Sequence, residues 1–193
     1  MASFGPAIAY VLQDEGGYSP ANAATGDPET NFGIIDTTAR AYGWTGPMSA
    51  LSLQTAKDIY QQEYWTGLDA VTDQRVATAI LTYRVNMGVA GGTIVLQQAL
   101  NQIGQDISID GGFGPETLAA VNASDPAVLL QAIVYAAKDR YHAIVDANPE
   151  KEPYLNGWLA RADRILSIPA VQVAGAGLGL AIMGLVVFLG GRR

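Results

Sequence analysis

The sequence predicts an all-α protein: a helical body followed by one apolar C-terminal helix long enough to cross a membrane. Three observations carry this. Apolar residues recur at helical spacing up to about residue 165, and strand alternation is hard to find. Gly, Pro and Asp signals punctuate those stretches. Charge then stops: 27 residues without a charged side chain separate Arg164 from Arg192. Of 193 residues, 49% are apolar and 15% charged, so a sizeable core can be buried and intrinsic disorder is excluded.

In chain order, Ser3 is the expected N-cap of a first helix. Pro6 falls in its first turn, and Phe4, Ile8, Val11, Leu12 and Glu15 follow at helical spacing until Gly16-Gly17. A Gly/Pro/Asn/Thr-rich loop covers 19–31. A short helix over 37–42 is closed by Gly43, and a longer one over 53–65 turns Ala56, Ile59 and Tyr60 inward. Asp73 caps the next, whose stripe is Val76, Ile80, Leu81 and Met87, ending near Gly88. Gly91-Gly92 marks a joint near residue 90, so the expected units are 1–90, 91–168 and the tail 169–191. In the second unit 95–103 is helical, Asp110-Gly111-Gly112 turns, and Pro115 opens a helix. Asp125-Pro126 opens a long helix to about residue 147, and a last one covers 154–168.

The tail over 170–190 has Gln172 as its only strongly polar member. As a helix it would be roughly 31 Å long, matching a hydrocarbon core of about 30 Å. A buried core helix would be shorter or interrupted by polar positions. Gly175 and Gly179 have the spacing that lets two such helices approach closely, which leaves a homo-oligomer open. Arg192-Arg193 would stay on the cytoplasmic side, placing the body outside.

The remaining composition excludes several classes. The body carries nine basic against 18 acidic side chains, a net charge of −9, which argues against nucleic acid. With no cysteine and His142 as the only histidine, disulfides, thiolate nucleophiles and Cys/His metal clusters are excluded, and no metal or other cofactor is expected. Asp106-x-Ser108-x-Asp110-Gly111 begins like a calcium loop, but Thr117 stands where the required glutamate would be. No basic region followed by an apolar run opens the chain, so no secretory signal peptide is expected.

The first helix points to chemistry. Glu15 continues its apolar stripe and sits at its expected C-terminal end, where burial and the backbone carbonyls both disfavour a negative charge. A carboxyl held neutral in this way suits a general acid. An exposed Glu at a frayed helix end would give the same pattern.

Glu15-Gly16-Gly17-Tyr18 followed by Thr30-Asn31-Phe32-Gly33-Ile34 resembles the opening motif of glycoside hydrolase family 108, a lysozyme-like group of muramidases. In order, Ile59-Tyr60 and Tyr64-Trp65 are similar to its aromatic helix, Asn86-Met87-Gly88 to its Asn-x-Gly helix end, and Gly157-Trp158-x-x-Arg161 to its closing motif. Leu96-Gln97-x-Ala99-Leu100 with Asp110-Gly111-x-Phe113-Gly114-Pro115-x-Thr117 resembles the peptidoglycan-binding half that accompanies this catalytic half.

The resemblance implies a lysozyme-like helical fold. It also implies cleavage of the β-1,4 bond between N-acetylmuramic acid and N-acetylglucosamine in peptidoglycan. Glu15 matches the catalytic glutamate that protonates the leaving oxygen, while Tyr18, Asn31, Trp65 and Asn86 match positions expected to line the substrate cleft. Two departures leave the second carboxylate open. Asp27 and Glu29 occupy a stretch where the family has an Asp-x-Gly-Gly turn, and Thr82 replaces a frequent Asp four residues before the Asn-x-Gly end. Either Asp27 or Glu29 is then a second catalytic group or a solvated loop acid.

A wall-cutting body joined to a C-terminal membrane helix is expected in a bacteriophage, held in a virion membrane beside other virion proteins or on the host inner membrane facing the periplasm. The competing reading is a structural membrane protein of a virion that keeps the body only to bind glycan.

Overall fold

The computed structural model describes residues 1–13, 16–22 and 28–169. The expected membrane helix over 170–190, Glu15 and Asp27 all lie outside the described residues.

Helix α1 (Phe4–Val11) buries Ala7, Ile8 and Val11. Ser3 occupies its N-cap position in extended backbone, but its hydroxyl makes no capping bond. Gln74 does the anchoring instead: its Oε1 accepts from the Ser3 N–H at 2.7 Å and its Nε2 donates to the Ser3 carbonyl at 3.0 Å. The helix stops at Val11, short of the glycine pair expected to end it.

The loop expected over 19–31 holds the part of the fold that helical periodicity could not show. Strands β1 (Thr30–Asn31) and β2 (Ile34–Ile35) pair antiparallel, Thr30 opposite Ile35 and Asn31 opposite Ile34. Phe32 and Gly33 make the two-residue turn between them with φ of 50° and 77°, the pair of positive values that matches the twist of a tight hairpin. Ser19 extends the ribbon, exchanging both backbone hydrogen bonds with Thr30 at 2.8 and 2.9 Å. Two-residue strands are too short to leave an alternating pattern, so the all-α expectation misses this ribbon.

Helix α2 (Asp36–Tyr42) ends at Gly43, as expected. In α3 (Leu53–Glu63), Ser52 caps the Thr55 N–H at 3.0 Å, and Ala56, Ile59 and Tyr60 point into the core. Helix α4 (Gln74–Gln102) is the axis of the molecule, capped by Asp73 through the N–H groups of Arg75 and Val76 at 2.9 and 3.2 Å. Near the joint expected around residue 90 the chain breaks sharply at Gly88, whose φ of 75° and ψ of 160° are not helical, so α4 consists of two helical segments, 74–87 and 89–102, that meet at this bend. The kink folds the two segments against each other at Gly92: an added Cβ there would lie 2.4 Å from the Arg84 backbone nitrogen, so only glycine fits.

Helices α5 (Pro115–Ala123), α6 (Pro126–Ala147) and α7 (Glu152–Arg164) complete the second half, with α6 packed along α4 and α7 along α6. Asp125 caps α6 through the N–H groups of Ala127 and Val128 at 2.9 and 3.0 Å. Arg84 of α4 locks the halves together. Its Nη1 donates to the carbonyls of Tyr64 and Thr66 at 3.1 and 2.9 Å, its Nε to the Thr93 hydroxyl at 3.3 Å, and its guanidinium lies 4.8 Å from the centre of the Phe113 ring. The side chain is fully buried, and desolvation pulls its pKa down to about 10. On the other side of the joint, Asn122 of α5 accepts from the Thr72 N–H at 2.9 Å and donates to the Ala70 carbonyl at 3.1 Å.

Candidate active site

The segment after Glu15 begins a cleft. Gly16, Gly17, Leu12 and Ala9 from one side meet Phe32 of the ribbon turn and Leu53 and Lys57 of α3, enclosing about 260 Å³. Leu53 is 42% exposed, an apolar side chain on a polar helix that gives this rim a greasy contact surface. Phe32 takes its left-handed backbone at a cost of about 1–2 kcal/mol. The Tyr60 hydroxyl holds it there by donating to the Phe32 carbonyl at 3.0 Å.

Tyr18 stands on the outer edge of this loop system, 46% exposed, and its hydroxyl donates to Glu29 Oε1 at 2.8 Å. The bond to the carboxylate, then partial desolvation and the nearby negative charge, push the phenol above its ordinary value. Because Ser19 and Thr30 are cross-linked by backbone hydrogen bonds, Tyr18 and Glu29 are fixed side by side at the base of the ribbon. An acid, an aromatic ring and a pair of glycines thus lie on the loop system that follows Glu15 in sequence.

The other residues expected in the cleft have different surroundings. Asn31 is 3% exposed, and its Nδ2 donates inward to the carbonyls of Met48 and Leu51 at 2.8 and 3.3 Å. It fastens the ribbon to the short 3₁₀ turn Met48–Ala50 and has no free amide hydrogen aimed at a sugar. Trp65 is 5% exposed, edge-to-face with Phe4 at 5.7 Å, so it packs in the core beside buried Tyr60. Asn86 donates to the Thr82 carbonyl at 2.7 Å and accepts from Arg161. The Asn-x-Gly end and the closing Gly-Trp-x-x-Arg motif therefore meet, as a tie between α4 and α7. Thr82 spends its hydroxyl on the Thr78 carbonyl at 2.8 Å, satisfying itself within α4.

Periodicity missed Phe32, Leu53 and Lys57 as cleft residues. One signal was available: Leu53 follows directly on the helix-capping Ser52, away from the inward stripe of α3. In the second half the motif Gln97…Asp110-Gly111-Gly112 is a closed network. Gln97 Oε1 accepts from the N–H groups of Asp110 and Gly111 at 3.1 and 2.8 Å, and Nε2 donates to Asp110 Oδ1 at 2.8 Å and the Gly112 carbonyl at 3.0 Å. Hydrogen bonds from Gln97 and from the Gly112 N–H hold the Asp110 carboxyl below its usual range.

The architecture is a helical body with a short ribbon that shares a cleft with its first helix, locked to a second helical half. Residues 8–88 match the family model Glycosyl hydrolase 108, and residues 92–163 match the model Predicted Peptidoglycan domain. Among solved structures, the chain is similar to SagA of Brucella abortus, at 28% identity and a TM-score of 0.69 over 85% of this chain and 91% of that one. No curated protein matches the chain. Together the two matches support a peptidoglycan hydrolase, a glycoside hydrolase with peptidoglycan as its partner.

Proposed function

We propose that the chain is an N-acetylmuramidase that cleaves the β-1,4 bond between N-acetylmuramic acid and N-acetylglucosamine, with Glu15 as general acid. The supporting observation is the cleft itself. It lies within the stretch that matches the glycoside hydrolase model, is bounded by the glycines next to Glu15, and has the Tyr18–Glu29 pair on the same loop system. Glu15 would protonate the leaving glycosidic oxygen as the C–O bond breaks. Glu29 and Asp27 are the two loop acids proposed to stabilise positive charge at the anomeric carbon or to activate water. Glu29 is oriented by the hydrogen bond it accepts from Tyr18.

The apolar segment 170–190 would anchor this hydrolase in a bilayer, with Arg192-Arg193 on the cytoplasmic side and the body facing the wall. Such an arrangement fits a phage protein carried in a virion membrane or held on the host inner membrane. A free muramidase searching an anionic envelope gains from positive charge. With a body at −9, a tether would supply local concentration that electrostatic steering cannot.

Clearing of peptidoglycan in a zymogram by the full chain in detergent, and by a chain ending at Ser167, tests the chemistry. Glu15→Gln should lower clearing by about 10²- to 10⁴-fold with an unchanged Tm, the range a general acid contributes. An unmutated chain that binds peptidoglycan but clears nothing between about pH 4 and 8 would favour the glycan-binding structural reading that the Thr82 departure leaves open. If the chain ending at Ser167 lyses intact cells as well as the full chain does, the anchor has no role in delivery.

A further inference from the structure

The second half contains a pocket that the hydrolytic reading does not use. It encloses about 260 Å³ at the junction of α4, α6 and α7 and is lined by Arg140, Tyr141, Lys151, Trp158 and Arg161. Three of the body's nine cations meet here, in a body whose net charge is −9, and among the described residues no acidic side chain lines the pocket. Nor is any of the three in an ion pair with a described residue: the nearby Asp163 is taken by Lys138 at 2.6 Å. Two polar atoms of its lining residues, Arg140 Nε and the Tyr141 hydroxyl, are buried with no hydrogen-bond partner among the described residues. Leaving such groups unpaired is costly, and a ligand that accepts hydrogen bonds would relieve it. Beside them Tyr141, Trp158 and Tyr154 form a run of rings with centroids 5.4 and 6.1 Å apart, and Tyr154 is 62% exposed.

We infer that this pocket takes a free carboxylate of the peptide stem of peptidoglycan, with the aromatic run carrying the sugar to which the stem is attached. The inference rests on the reading of residues 92–163 as a peptidoglycan-binding half. Three chemical facts select this ligand. Cations without acids select an anion, and guanidinium groups pair best with carboxylates. The glycan strand itself is uncharged once its muramic carboxyl is amide-bonded to the stem, so the anions of the polymer are the stem carboxylates. The volume admits one end group and not a run of sugars.

The test uses the full chain in detergent carrying Glu15→Gln, so that the ligand survives. The probes are a disaccharide-tetrapeptide, the same fragment with its carboxyls amidated, and the bare disaccharide with its muramic carboxyl capped as the amide. The intact fragment should bind about tenfold more tightly than the amidated one. Arg140→Gln and Lys151→Gln should each erase most of that difference while leaving bare-disaccharide binding unchanged. Lys151 is on the surface, so its variant should keep the parental Tm. Equal affinity for intact and amidated fragments, undiminished affinity in both variants, or displacement of the fragment by inorganic phosphate at comparable concentration would overturn the assignment. Failure of the hydrolase reading shows up separately: an unmutated chain that releases no fragments from peptidoglycan, while still binding the carboxylate in this pocket, sinks the enzyme and leaves the site.

Discussion

Two glycine-containing loops of this molecule are opposite in construction. The loop over 105–114 is tied from within: Gln97, 1% exposed, satisfies the backbone N–H groups of Asp110 and Gly111, the Gly112 carbonyl and one oxygen of the Asp110 carboxylate. The loop system over 16–35 turns its chemistry outward. There Asn31 points in as a single anchor, whereas Tyr18 and Glu29 meet on the surface and Phe32 is held in a left-handed conformation by Tyr60. The first arrangement gives stiffness, the second gives accessible groups on a strained frame. The difference shows that matching a motif to a site is not enough: a motif residue can be recurrent because it builds the loop or because it touches the ligand, and only its hydrogen-bond partners tell which.

The comparison breaks most visibly at the joint both loops depend on. Arg84→Ala should cost about 3–5 kcal/mol, because it strands the carbonyls of Tyr64 and Thr66, removes the contact with Phe113 and leaves a cavity in the core. Chemical denaturation should show this as a lower midpoint, with the activity of the molecules that remain folded unchanged. Gln97→Leu is the next step down, at about 2–3 kcal/mol, since it leaves the N–H groups of Asp110 and Gly111 unpaired, while the Gly112 carbonyl keeps the Thr117 hydroxyl. It too should leave turnover per folded molecule intact. A selective loss of turnover in the Gln97 variant would mean the internally tied loop takes part in hydrolysis.

The sequence made most of the helical frame legible because long amphipathic stripes and Asp caps act locally. Asp73 and Asp125 cap the helices expected of them. It misjudged what depends on distant partners. Ser3 precedes a helix start, yet Gln74, seventy-one residues on, does the anchoring. Gly91-Gly92 reads as the break, but the non-helical residue is Gly88, and Gly92 serves the close packing of the two segments on either side of it. At the candidate site, Tyr18 was legible from its place after two glycines. Asn31, Trp65 and Asn86 carry the same motif signal, but their burial and internal hydrogen bonds are tertiary facts that spacing alone does not contain.

Asn31→Ala separates anchor from contact within the outward-facing loop. Its amide satisfies two buried carbonyls, so the loss should be about 1–3 kcal/mol. Unlike the Gln97 change, it should also reduce turnover, because it frees the ribbon that fixes Phe32 and Glu29. A variant destabilised to this extent but fully active would show that ribbon position is irrelevant to hydrolysis.

Tyr18→Phe should have the smallest effect on stability, and it tests the surface pair directly. The phenol is exposed, so Tm should stay within the scatter of ordinary surface substitutions, about 0.5 kcal/mol. Clearing should fall only a few-fold, as expected for loss of one positioning hydrogen bond of about 1 kcal/mol. The pH dependence has a definite sign. Glu29 raises the Tyr18 pKa, so the folded state favours the neutral phenol; the stabilisation linked to the phenol proton is fully present below the ordinary phenol value of about 10 and is lost as pH rises through the raised one. Tyrosine-selective ¹³C NMR should find the exposed Tyr18 phenol titrating above the ordinary range, and Glu29→Gln should bring that one resonance back down while leaving the raised phenols of buried Tyr83 and Tyr141 where they are. A Tyr18 resonance that titrates normally in the unmutated chain would mean that the pair does not form in solution, and Glu29 would lose the hydrogen bond that orients it.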